Sequence, residues 1–146
     1  MMSLKNADIL STSDFSMDQI ERILEVSEEF LPIALKQKRS NLLDGYVMAA
    51  LFYEPSTRTR FSFEAAMNRL GGRVITAVGI DYSSLSKGET LYDTGKMMEK
   101  YVDVIVMRHP ESGSAKEIAL GAGVPVINAG DGIGEHPTQA LLDIFT

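Results

Sequence analysis

Four short apolar runs, each followed by a stretch of helical periodicity, predict an α/β fold: a doubly wound, four-stranded parallel sheet with helices on both faces. The runs lie at residues 46–53, 74–78, 102–107 and 124–128. The third is almost continuously apolar, as parallel strands covered on both faces are. The hydroxyl-rich, basic and glycine-rich segments all come after these runs. Ligands of open parallel sheets lie outside the carboxyl ends of the strands, so four polar segments are expected on one rim.

Each element has a local reason. Ser16 and Gln19 make a capping box for the first helix, and Ile20, Ile23, Leu24 and Leu31 follow at helical spacing. Pro32 is expected to kink that helix or start a new turn. After the first strand, a helix is expected over 56–70, with Phe63, Ala66, Met67 and Leu70 on its buried face and Gly71-Gly72 stopping it. A polar loop near 81–88 leads to a helix over 89–100 that should bury Leu91, Thr94, Met98 and Tyr101. A short helix over 114–120 precedes the fourth strand. Beyond Gly130, Gly132 and Gly134, Pro137 suits the first turn of a final helix.

Composition narrows the function. With 146 residues, 45% of them apolar, the chain can bury one core of ordinary domain size, so residues 1–146 are read as one domain. No apolar run approaches the length of a membrane span and no signal-peptide pattern stands at the start, which predicts a soluble, unexported protein. Cysteine is missing, which excludes disulfides and thiolate metal sites and is compatible with the cytoplasm. Only two histidines are present and they form no i,i+4 pair, so no zinc site is expected. A net charge of −6 argues against nucleic acid. Any anion bound here must be held by a local cluster against an acidic background.

That cluster is Glu54-Pro55-Ser56-Thr57-Arg58-Thr59-Arg60. Three hydroxyls alternate with two guanidinium groups at the start of a helix. Unpaired N–H groups, hydroxyl donors and fixed positive charge there suit a phosphate dianion. A cap explains one hydroxyl, not three. The segment lacks the Gly-Lys-Ser/Thr core of a nucleotide-binding P-loop, so triphosphate hydrolysis is disfavoured.

Three further segments share the rim. Arg108, at the carboxyl end of the third strand, is placed to reach a phosphate or carbonyl; the His109 beside it is equally suited to satisfying a turn. In Asn128-Ala129-Gly130-Asp131-Gly132-Ile133-Gly134-Glu135-His136-Pro137-Thr138-Gln139, the glycines permit close backbone approach. His136 and Gln139, three residues apart, can grip one planar carbonyl, although a His before Pro also serves as a cap. Ser83-Ser84-Leu85-Ser86-Lys87 reads either as another anion loop or as a flexible cap. No nucleophile–base pair stands out.

These residues together resemble the aspartate carbamoyltransferase family, specifically its carbamoyl-phosphate-binding domain. The segments that carry the likeness are residues 52–64, Lys87-Gly88-Glu89-Thr90, Val106-Met107-Arg108-His109-Pro110 and residues 136–143, in order and spacing, over essentially the whole chain. Ornithine carbamoyltransferases share the Ser-Thr-Arg-Thr-Arg core and a His-Pro-x-Gln element. Glu-Pro before Ser56, the Asn-Ala-Gly-Asp-Gly run and Ala140-Leu141-Leu142-Asp143 favour the aspartate branch. The resemblance implies that Ser56, Thr57, Arg58 and Thr59 bind the phosphate of carbamoyl phosphate, while Arg108, His136 and Gln139 hold its carbamoyl end. By the same resemblance Arg58, Thr59, Arg108 and His136 are expected to carry the catalytic roles. It also implies that Lys87 and a loop serine, Ser84 or Ser83, reach a neighbouring subunit's site in a homotrimer, with or without regulatory chains. No cofactor is implied. The family chain is about twice as long, and its second domain, which binds L-aspartate, has no counterpart in the matched motifs. The 146 residues alone are therefore expected to turn over slowly or not at all. The alternatives are another carbamoyltransferase, such as the ornithine type, and a non-catalytic anion-binding module.

Overall fold

The computed structural model describes residues 3–79 and 84–146. Helix α1 (Met17–Ala34) starts from the Ser16–Gln19 capping box, with both reciprocal bonds made. Pro32 lies inside its last turn, and the helix ends two residues later. Strand β1 (Val47–Phe52) leads to α2 (Thr57–Arg69), and β2 (Arg73–Val78) leads through a 3-10 turn, Ser84–Lys87, to α3 (Leu91–Met98). Strand β3 (Val104–His109), helix α4 (Ser114–Gly121), strand β4 (Val126–Asp131) and helix α5 (Pro137–Phe145) complete the order.

The four strands form one parallel sheet in the order β2-β1-β3-β4. The strand order reverses between β1 and β3, so that is where an open α/β sheet places its ligand crevice. Alternate residues of β1 feed two cores. Ala49 and Leu51 pack with Ile105, Met107, Ile118 and Val126 beneath α3 and α4. Met48, Ala50 and Phe52 pack with Met67, Val106 and Ala129 on the opposite face, where α1, α2 and α5 lie.

Four expectations change. β3 and β4 each begin two residues later than their apolar runs and extend into polar sequence, because ladder pairing needs backbone N–H and C=O groups rather than apolar side chains. Arg108 and His109 are thus the last residues of β3, not residues beyond it. Tyr101 is 63% exposed, since α3 stops at Met98 and the chain turns outward before it. Ala66 is exposed, and it lines a cleft between α2 and α5. Among the described residues no helix is long and apolar enough to cross a membrane.

Candidate active site at the sheet switch point

Helix α2 opens without a side-chain cap. Ser56 occupies the N-cap position but makes no capping hydrogen bond. The N–H groups of the first turn are therefore left without a capping side chain beside two arginines, an arrangement suited to an anion. The turn's side chains diverge. Arg58 and Thr59 line a cleft of about 550 Å³ shared with Ser62, Phe63, His136 and Gln139. Ser56 and Thr57 line an adjoining cleft of about 330 Å³ with Glu54, Arg60 and the end of β2. Both are within the size range of small-molecule sites.

Arg108 reaches this region from β3. Its Nε donates to Glu54 Oε2 at 3.1 Å, a charge-assisted contact with both groups partly buried. Its Nη1 lies 3.5 Å from the carbonyl of Ala129. The β3–β4 register slips here: Met107 pairs with Asn128 and His109 with Asp131, so β4 carries one extra residue opposite Arg108. Gly130 in that bulge has φ +119°, and a Cβ there would lie 3.3 Å from Arg108 Nη1. Glycine thus lets the guanidinium lie against the β4 backbone.

The segment from β4 to α5 is held by two buried polar side chains. Asn128, 1% exposed, accepts from Gly130 N–H at 2.9 Å through Oδ1. Its Nδ2 donates to the carbonyls of Leu10 (3.0 Å) and Glu135 (3.1 Å). Asp131 accepts from Glu135 N–H at 2.6 Å and from Gly113 N–H at 2.8 Å. His136 follows as the N-cap residue of α5, again with no side-chain capping bond, so its ring turns to the cleft. Burial first, then the charge of Arg108, pushes the His136 pKa below its ordinary 6.5, while Asp143 works the other way. The ring is neutral at pH 7. Thr138 Oγ1 lies 3.4 Å from its Nδ1; donation from that hydroxyl would leave the proton on Nε2, the tautomer able to polarise a carbonyl. Gln139 is exposed on the same wall, its Nε2 donating to Asp143 at 2.9 Å.

The structure therefore brings Arg58, Thr59, His136 and Gln139 together. Arg108 stands close enough to act on His136, and Ser56 and Thr57 face the neighbouring cleft. Ser84 and Lys87 bound the 3-10 turn; Lys87 is exposed and does not line these two clefts. Ser83 lies outside the described residues. His109 serves its turn: it is buried, its Nδ1 accepts from Glu111 N–H at 3.1 Å, and its ring meets Tyr53 edge-on. Burial lowers its pKa, against the opposing charges of Glu111, Glu117 and Glu54.

Two supporting residues escaped the reading of the sequence. Glu54, in the sequence only one member of the 52–64 segment, fixes Arg108. Arg60, the second guanidinium of the cluster, pairs with Glu64 at 3.7 Å and lies over the Phe61 ring. Glu64 in turn accepts from Thr76 Oγ1 at 2.9 Å, tying α2 to the edge strand. The i,i+4 spacing of Arg60 and Glu64 was the available signal.

Chemically, the larger cleft offers a guanidinium, a hydroxyl, a neutral imidazole and a carboxamide around one small volume. Such a set can bind a compact anion that also bears a carbonyl.

Residues 7–146 match the family described as "Aspartate/ornithine carbamoyltransferase, carbamoyl-P binding domain". The chain is 54% identical over 145 residues to the aspartate carbamoyltransferase catalytic subunit of Dichelobacter nodosus, covering 99% of this chain and 42% of that one. It is 52% identical to the Methanosarcina barkeri catalytic subunit, covering 99% and 47%. The fold is similar to Trypanosoma cruzi aspartate transcarbamoylase in complex with carbamoyl phosphate and aspartate, with a TM-score of 0.89 and 44% identity over 97% of this chain and 44% of that one. The chain thus spans less than half the length of these relatives.

Proposed function

The chain belongs to the aspartate/ornithine carbamoyltransferase family through its carbamoyl-phosphate-binding domain, and on that premise we propose that it supplies the carbamoyl-phosphate half of a site that carbamoylates L-aspartate. The products are N-carbamoyl-L-aspartate and phosphate, a step of pyrimidine biosynthesis. The observation that carries this reading is the single cleft walled by Arg58 and Thr59 from α2 and by His136 and Gln139 from α5. A phosphate sensor would need the first pair only. The second pair is suited to a carbonyl.

In the proposed reaction the amine lone pair attacks the carbamoyl carbon, and the C=O electrons move onto oxygen. As that oxyanion collapses, the C–O bond to phosphate breaks, and phosphate leaves with the pair and takes up the proton that the amine loses. Thr59, Arg108 and His136 stabilise the oxyanion, and Gln139 orients the carbamoyl group. Arg58, Ser56, Thr57 and the open N-terminus of α2 take up charge on the departing phosphate. Arg108 must exchange Glu54 for substrate to do so. The exposed Lys87 and a serine of its loop are assigned to a neighbouring subunit's site in a cytoplasmic homotrimer, which can also carry regulatory chains. The groups that bind aspartate are assigned to sequence outside residues 7–146. The preference for aspartate over ornithine rests on the relatives of 50% identity and above.

Calorimetric titration of this chain with carbamoyl phosphate tests the reading. Binding is expected, weakened at least about tenfold in Arg58→Ala and in His136→Ala. Parent affinity in both variants would refute it.

A further inference from the structure

We propose that Asn128 and Asp131 are positioning residues of this site, setting where His136 stands by gripping the one residue that precedes it. The inference rests on the reading above of His136 as a carbonyl-polarising group. Glu135 is bound on both sides of its Cα: its N–H donates to Asp131 Oδ1 at 2.6 Å and its C=O accepts from Asn128 Nδ2 at 3.1 Å. Both gripping side chains are buried and rise from β4, the rigid sheet, rather than from the loop they hold. The glycines at 130, 132 and 134 would otherwise leave this loop little intrinsic preference.

The amide orientation of Asn128 is fixed by its surroundings. Two carbonyls face one end of the carboxamide and one N–H faces the other. A flip would set its oxygen against both carbonyls. That N–H belongs to Gly130, the bulge residue packed against Arg108. Asn128 therefore joins the residue that supports Arg108 to the residue that precedes His136. Asp131 adds the second link, holding Gly113 N–H of the β3–α4 loop with its other oxygen. Two groups expected to act on the same carbonyl are thereby referred to one strand. A preorganised site needs its donors held to a fraction of an ångström, and buried, fully bonded neighbours do that.

The test uses Asn128→Asp and Asp131→Asn. Each keeps side-chain shape; the first loses the donor to Glu135, and the second can no longer accept from both N–H groups. The chain has two histidines, so both imidazoles can be followed by NMR in the intact protein. In either folded variant the His136 ring signals are expected to broaden and its titration midpoint to rise toward the ordinary value. Carbamoyl phosphate affinity should fall at least about fivefold. In Asn128→Asp the His109 signals should stay in place, which a general loosening of the fold would not allow. If Asn128→Asp does not fold, Asp131→Asn decides alone. Parent His136 titration and parent affinity in a folded variant would overturn the proposal. His136→Ala run beside them keeps the two ideas apart: parent affinity there would remove the functional reading of His136 while the ring shifts still report on positioning.

Discussion

Helices α1 and α3 begin with a side chain bound to the N–H groups of their first turn, whereas α2 and α5 begin with none. Ser16 accepts from Gln19 N–H, and Thr90 accepts from Asp93 N–H. Ser56 and His136 hold the same position and leave it unused. All four have a residue type able to cap, so composition does not separate them. Location does. The uncapped α2 and α5 wall one cleft, which α1 and α3 do not line; α4, whose N-cap residue is Gly113, also starts without a side-chain cap but has no side chain to offer one. Unmet donors at a helix start cost stability, and retaining two such starts at one site fits a ligand that completes them.

The sharpest attempt to break this contrast is Arg58→Ala with this domain set in a complete carbamoyltransferase, under the proposed activity. It should lower turnover at least roughly a hundredfold in a carbamoyl-aspartate assay, since one preorganised donor of this kind is worth about 2.7–4 kcal/mol in the transition state. Near-parent kinetics would leave the open N-terminus of α2 without a purpose.

Next comes ligand-linked stability. Phosphate at 100 times its dissociation constant should stabilise the parent chain by about 2.7 kcal/mol, read as a shift in urea midpoint, and should do far less for Arg58→Ala. Equal shifts would show that the anion sits elsewhere.

A paired substitution sharpens the contrast. Ser16→Ala should cost about 1 kcal/mol of stability and leave phosphate affinity unchanged. Ser56→Ala should do the reverse, weakening phosphate with little change in stability, because no cap bond is lost. The smallest effect concerns pH. Both histidines have folded pKa values below their ordinary 6.5. The unfolded chain therefore takes up protons first, and stability present above 6.5 declines as pH falls below it, levelling off under the folded values. Thermal melts between pH 7 and 5.5 should show that decline. His109→Asn, whose Oδ1 can still accept from Glu111 N–H, should flatten it.

Much of this arrangement is legible in the residues. The parallel sheet follows from four apolar runs, and the first turn of α2 follows from alternating hydroxyls and guanidiniums. The capping box at Ser16 is a local pattern and is found where its spacing puts it. What could not be read depends on pairing between distant segments. The ends of β3 and β4 look like loops because Arg108, His109 and Asp131 are polar, yet their backbones continue the ladder. Tyr101 fits an apolar helical stripe, but α3 ends before reaching it. The Glu54–Arg108 pair has no sequence signal at all, since it joins the loop after β1 to the end of β3, neighbours that only the topology creates. Ala66 looked like core and instead forms cleft wall, because α5 stands off from α2 there.

The extra residue in β4 has a consequence for how the chain tolerates change. Along an unbroken strand, side chains an odd number of positions apart point in opposite directions. Positions 128 and 131 are such a pair, and only the phase slip at Ala129-Gly130 turns them toward a common neighbour. Deleting either residue would leave the two side chains two positions apart and still on one face, but would remove the bulge against which the Arg108 guanidinium lies. A one-codon deletion here should therefore cost Arg108 its seat on the sheet, even where the sheet itself survives.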